Sequence, residues 1–155
     1  MEEDEYRQMY RAAIPRRCVF EKAVLAGRCA CSRARRRNLA EREAVACESA
    51  RGRAQCEAWL TQLRARAQFA LRLRDGDGPL PHARAIKLQA GGLLGLAGLM
   101  AGAGEKPWLR EGRVADVRGL LDAACERFGG LEGLPFEEIV RAVARFSGRR
   151  RRSRR

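Results

Sequence analysis

Apolar positions follow a helical rhythm over much of the chain. Between Gly52 and Arg74, the residues Cys56, Leu60, Leu63, Ala67 and Ala70 recur at steps of four, three, four and three. Trp59 and Leu71 widen that stripe, while Arg64, Arg66 and Arg72 lie mostly off it. Such a pattern predicts an amphipathic helix with one face on a core. Val114, Val117, Leu120, Leu121, Ala124 and Phe128 predict a second helix, stopped by Gly129-Gly130. Ile139, Val140, Val143 and Phe146 predict the inner face of a last helix that starts near Pro135 and ends at Gly148. At the other end, Glu2 to Ala13 reads as a short helix ended by Pro15, because proline pushes the preceding Ile14 out of helical geometry.

The remaining segments carry weaker signals. Gly27 is a natural turn residue, which places Cys29 and Cys31 on a loop, and Ser32 or Asn38 is expected to cap a helix running toward Ala50. Residues 75–81 read as a loop by their Asp, Gly and Pro content, and Gly102 to Arg113 as another, with Pro107 and Trp108. Residues 83–89 fit either a short strand or the start of the Gly-rich apolar stretch Ala90 to Gly104. That stretch is 15 residues long, whereas a membrane helix needs about 20 apolar residues. It is therefore expected to be buried in a core, where the spacings Gly91 to Gly95 and Gly98 to Gly102 let helices approach closely. The fold class expected is mainly α, a small single-domain helical bundle over 1–148. Within it a Cys-bearing N-terminal lobe at 14–74 precedes a Gly-rich and helical lobe at 83–148, and a disordered Arg-rich tail occupies 149–155.

Composition adjusts this picture in two ways. The apolar share of 46% in 155 residues suffices for one modest core, but aromatics are only 6%, so packing rests on Leu, Ala and Val. The net charge of +13 suggests an anionic partner: an acidic protein or redox partner, nucleic acid, or an anionic membrane surface. That charge is discounted because Lys22, Lys87 and Lys106 are the only lysines among 32 basic residues and Asn38 is the only asparagine, a skew typical of a GC-rich genome. Six arginines stand at 149–155, so the net charge falls to +7 without the tail. The opening Met1-Glu2-Glu3-Asp4-Glu5 is acidic and no apolar export segment follows, so a cytoplasmic setting with reduced cysteines is expected.

The cysteines carry the most chemistry. Cys18, Cys29, Cys31, Cys47 and Cys56 follow the spacing C-x10-C-x-C-x15-C-x8-C, while Cys125 stands apart. Thiolates bind soft metals, and four of them close a tetrahedral site or hold an iron–sulfur cluster. Cys29 and Cys31, two apart on a loop, can aim at one centre, with Cys18 and Cys47 completing a four-sulfur set. Zinc sites usually present paired C-x2-4-C knuckles, often with histidine, and here the only histidine is His82. An iron–sulfur cluster, of 4Fe–4S type, is therefore the first expectation and zinc the second. Cys56 and Cys125 share stripes with core residues and read as packing groups, with Cys56 the reserve ligand.

Other features add less. Arg33, Arg35, Arg36 and Arg37 follow Cys31 and suit an anion, a nucleic acid or an anionic cluster; the plainer reading is a solvated helix face paired with Glu41 and Glu43. Neither Asp75-Gly76-Asp77-Gly78 nor Gly102-Ala103-Gly104-Glu105-Lys106 completes a calcium or phosphate loop. No nucleophile lies near His82 in sequence, and no catalytic residue is assigned. The expected function is a non-enzymatic iron–sulfur or other metal-binding protein in electron transfer, redox sensing or cluster assembly. The alternative is a basic nucleic-acid- or protein-interaction module with structural cysteines.

Overall fold

The structure, a computed structural model, describes residues 2–74, 78–101 and 108–148. The helices are α1 (Glu3–Ala13), α2 (Glu21–Leu25), α3 (Ala50–Arg66), α4 (His82–Met100), α5 (Val117–Phe128) and α6 (Phe136–Arg145). Four strands form two antiparallel hairpins, β1 (Ala34–Leu39) with β2 (Arg42–Cys47), and β3 (Leu109–Arg110) with β4 (Arg113–Val114). The described residues are thus helix-dominated, 55% helical with 13% in two small sheets, which corrects the purely helical bundle. No helix among the described residues is long and apolar enough to cross a membrane.

The largest correction falls on 34–47, where a helix from Ser32 or Asn38 toward Ala50 was expected and a hairpin stands. Ala, Arg, Glu and Leu there are good helix formers, but propensity is a weak prior that burial overrides. Ala44 and Val45 are fully buried, and β2 is paired on both sides. On one side Ala34 lies opposite Cys47 and Leu39 opposite Arg42. On the other, the segment at 16–18 adds Cys18 N–H to Val45 O (2.9 Å) and Cys47 N–H to Arg16 O (2.9 Å). The connecting residues Ala40 and Glu41 both have positive φ, the geometry of a two-residue hairpin turn that asparagine and glycine usually signal.

Three smaller expectations also shift. The 52–74 helix stops at Arg66 and continues as turns to Arg72. Residues 83–89 belong to α4, and Val114 lies in β4 rather than in α5. The tail at 149–155, the loop at 75–77 and the segment 102–107 lie outside the described residues.

The core is one cluster built around α4, which packs against α2, α3, α5 and α6. Gly92 lies against Trp59 and Leu63 of α3, and Gly91 and Gly95 lie against the backbone of α6. Trp59, Leu63, Leu93, Leu96, Leu120, Leu121, Ile139 and Val143 are all essentially fully buried. Glu21, at the start of α2, ties the N-terminal segments together. It accepts hydrogen bonds from the Tyr10 hydroxyl, from Arg17 Nε (3.0 Å) and from the Val45 amide (2.9 Å).

Candidate metal centre

Backbone pairing brings four cysteines from four segments to one place. Cys18 lies beside β2 through its bond to Val45, and Cys47 ends β2. Cys31 precedes β1, and its loop is pinned to β4 and the start of α5: Ala30 N–H donates to Val114 O (3.0 Å), Val117 N–H to Ala30 O (2.9 Å) and Ser32 N–H to Asp116 Oδ1 (2.9 Å). Cys56 comes from α3, whose start is capped by the Ser49 hydroxyl accepting Gly52 N–H at 2.9 Å. Cys18, Cys31, Cys47 and Cys56 line one apolar cavity of about 20 Å³, closed by Val19, Phe20, Ala34 and Val117 and edged by Arg33, Arg53 and Arg118.

Cys29, grouped with Cys18, Cys31 and Cys47 from spacing alone, is buried behind that wall and paired through its backbone with Val114. It still lies close enough to Cys18, Cys31 and Cys56 for their charges to oppose one another. Cys56, expected to pack in the core, is buried and also faces the cavity. Cys125 lies apart and accepts a hydrogen bond from the Gln55 amide at 3.1 Å. All six are free thiols. Among the described residues, no group of three or more His, Cys, Asp or Glu side chains stands in an arrangement that could hold a metal ion.

Burial dominates the acidity of these thiols. It pushes Cys18, Cys29 and Cys56 up to about 12, and Cys31 upward as well. The opposing pulls come from the backbone N–H of Phe20 on Cys18, the N–H groups of Arg33 and Arg118 on Cys31, and the guanidinium of Arg118 beside Cys56. These donors favour the thiolate form but do not outweigh desolvation. The sulfurs of Cys18, Cys31 and Cys56 thus face the cavity with the thiol form favoured, beside groups suited to thiolates. A metal entering it must displace protons, so its affinity rises with pH.

The arginine run at 33–37 is divided by the hairpin. Arg33 edges the cavity. Arg35 pairs with Glu48 at 2.8 Å, and Arg36 pairs with Glu43 at 3.4 Å while donating to Val24 O at 3.1 Å. The Arg36–Glu43 pair therefore forms across two strands and not along a helix face. Arg118 is the residue that sequence reasoning passed over: it is nine-tenths buried at the cavity, with Nη1 3.8 Å from Cys56 Sγ. Its sequence signal is an arginine inside the apolar run Val117 to Leu121 with an aspartate four residues on, at Asp122.

No protein-family model, curated protein or solved structure matches the chain. The chemistry of the site carries the functional reading.

Proposed function

We propose that the chain is a non-enzymatic metal-binding protein that holds an iron–sulfur cluster through Cys18, Cys31, Cys47 and Cys56, with Cys29 behind them as a fifth thiol. The observation that carries the reading is the convergence of four sulfurs from four separate segments on one buried apolar cavity. Soft thiolate ligands in a water-poor shell are what iron–sulfur clusters use. Backbone N–H groups directed at Cys18 and Cys31 stabilise negative charge on sulfur, as the hydrogen bonds around such centres do. Electron transfer, redox sensing or cluster assembly are the roles this chemistry serves, and an acidic redox partner suits the basic surface.

A second reading rests on cavity size. A volume of about 20 Å³ is roughly that of one water-sized sphere, so a single zinc ion fits with little movement, whereas a cluster requires the surrounding segments to part. The discriminating experiment is elemental analysis of protein purified without oxygen. Iron with acid-labile sulfide supports the cluster, stoichiometric zinc replaces it with a structural zinc site, and metal-free protein overturns both.

A further inference from the structure

We propose that a second cavity, of about 350 Å³ and walled by Arg33, Arg51 and Arg118, binds a phosphoryl group, free or carried by a small polar ester. The inference is independent of the metal centre. The three arginines come from three places in the fold: Arg33 from the turn before β1, Arg51 from α3 and Arg118 from α5. Ser49, Gln55 and Asp122 complete the polar lining. Guanidiniums repel one another, so their convergence on one space calls for negative charge to offset it.

Arg118 has its offset in place. Nε and Nη2 donate to the two carboxylate oxygens of Asp122 at 3.2 and 3.0 Å, and Nη1 donates to Gly52 O at 2.8 Å. Asp122 is thereby engaged, and the pair is neutral as a unit. Arg33 and Arg51 differ: among the described residues neither enters an ion pair. Arg35 and Arg36, from the same basic run as Arg33, pair with Glu48 and Glu43 and stand outside the cavity. Two uncompensated positive charges therefore face one polar space.

The donors and the size fit a phosphoryl group. A phosphate ester carries a charge of about −1.5 to −2 at neutral pH, which matches the two open guanidiniums. Each guanidinium is a planar fork that meets two phosphate oxygens at once. The Ser49 hydroxyl accepts Gly52 N–H at 2.9 Å and keeps its own proton to donate. The volume holds roughly ten waters at about 30 Å³ each, which leaves room for a phosphoryl group and part of a carrier. No aromatic ring lines the cavity, so a nucleic-acid base has nothing to stack on, and the carrier that fits is a sugar.

The test titrates ribose 5-phosphate, and separately inorganic phosphate, into the full-length protein by calorimetry at constant ionic strength. Wild-type, Arg33→Met, Arg51→Met and Arg37→Met forms are compared. Wild type should bind saturably, one ligand per chain. Arg33→Met and Arg51→Met should each weaken binding at least about tenfold, because each removes a charge-assisted pair. Arg37 is exposed on β1 and does not line the cavity, so Arg37→Met loses the same charge and should bind like wild type. Tighter binding of ribose 5-phosphate than of inorganic phosphate identifies the ester as the ligand, and equal affinities identify the free ion. Wild type that binds neither, or an equal loss in Arg37→Met, overturns the proposal. Arg33 and Arg51 are exposed, and thermal melts check that their variants fold; if one does not, wild-type affinity in the other overturns the proposal.

Discussion

Replacing Gly95 with alanine tests the close crossing of α4 and α6, on which the core depends. The added Cβ would lie 2.7 Å from Ala142 Cβ, 3.2 Å from Ile139 Cα and 3.3 Å from Ile139 O. None of these atoms is the free end of a flexible side chain, so relief requires one helix to move. Overpacking of this kind costs about 1–3 kcal/mol, and the better helix propensity of alanine returns about 0.5–1 kcal/mol. The net loss is therefore about 0–2.5 kcal/mol, which in a chain of this length lowers Tm by up to about 10 °C. Gly98, one turn further along the same helix, has no atom of the described residues within 4 Å of its would-be Cβ. Gly98→Ala should raise stability by up to about 1 kcal/mol through propensity alone. Thermal and urea unfolding of the two variants side by side measure the contrast. Equal stability of Gly95→Ala and Gly98→Ala would refute the crossing.

Other perturbations read other parts of the structure. Glu21→Ala leaves the buried Val45 amide without its acceptor and releases Tyr10 and Arg17, so urea unfolding should show a loss of about 2–4 kcal/mol; a loss below about 1 kcal/mol would show that this hub is not structural. At Asp116, burial opposes the charged form, but hydrogen bonds from Ser32 and the amides at the start of α5 outweigh it and hold the carboxyl below its ordinary range. Its contribution is then fully present above the unfolded value of about 3.9 and is lost as pH falls through the lower folded value. Asp116→Asn should be less stable than wild type at neutral pH and show a shallower loss below about pH 4, measured by unfolding across pH; parallel profiles would contradict this. Metal loading of the stripped protein should strengthen as pH rises, because buried thiols must lose protons to bind, and a pH-independent affinity would exclude thiolate ligation.

The helices that bury a regular stripe were legible in the sequence. The run Cys56, Leu60, Leu63 lies on the buried face of α3, and Ile139 and Val143 lie on that of α6, because burial on one face imposes the 3.6-residue period. The spacing of Gly91 and Gly95 also announced a close helix contact, and both lie against α6. The β1–β2 hairpin was not legible. Its strand β1 is mostly exposed and so carries no alternating apolar signal, and its turn is Ala40-Glu41 in place of the usual asparagine and glycine. The misread hairpin also affected the site. With 34–47 read as helix, Cys18 and Cys47 join the site only as residues flanking the Cys29–Cys31 loop, and Cys56 stands as the reserve ligand, although its helix begins just after β2 ends. Membership of the Cys-rich segment was visible from spacing, whereas the division between cavity-facing Cys56 and buried Cys29 depends on strand pairing that spacing does not encode.

The most direct test of the central claim, that the cavity of Cys18, Cys31, Cys47 and Cys56 is the metal centre, is iron per folded chain in Cys56→Ser beside Cys125→Ser, both purified without oxygen. Cys56 faces the cavity, while Cys125, which does not line it, accepts a hydrogen bond from Gln55. Cys56→Ser should lose most of its iron and visible absorbance while remaining folded, and Cys125→Ser should keep the wild-type content. Full iron in Cys56→Ser, or an equal loss in both variants, would contradict the assignment.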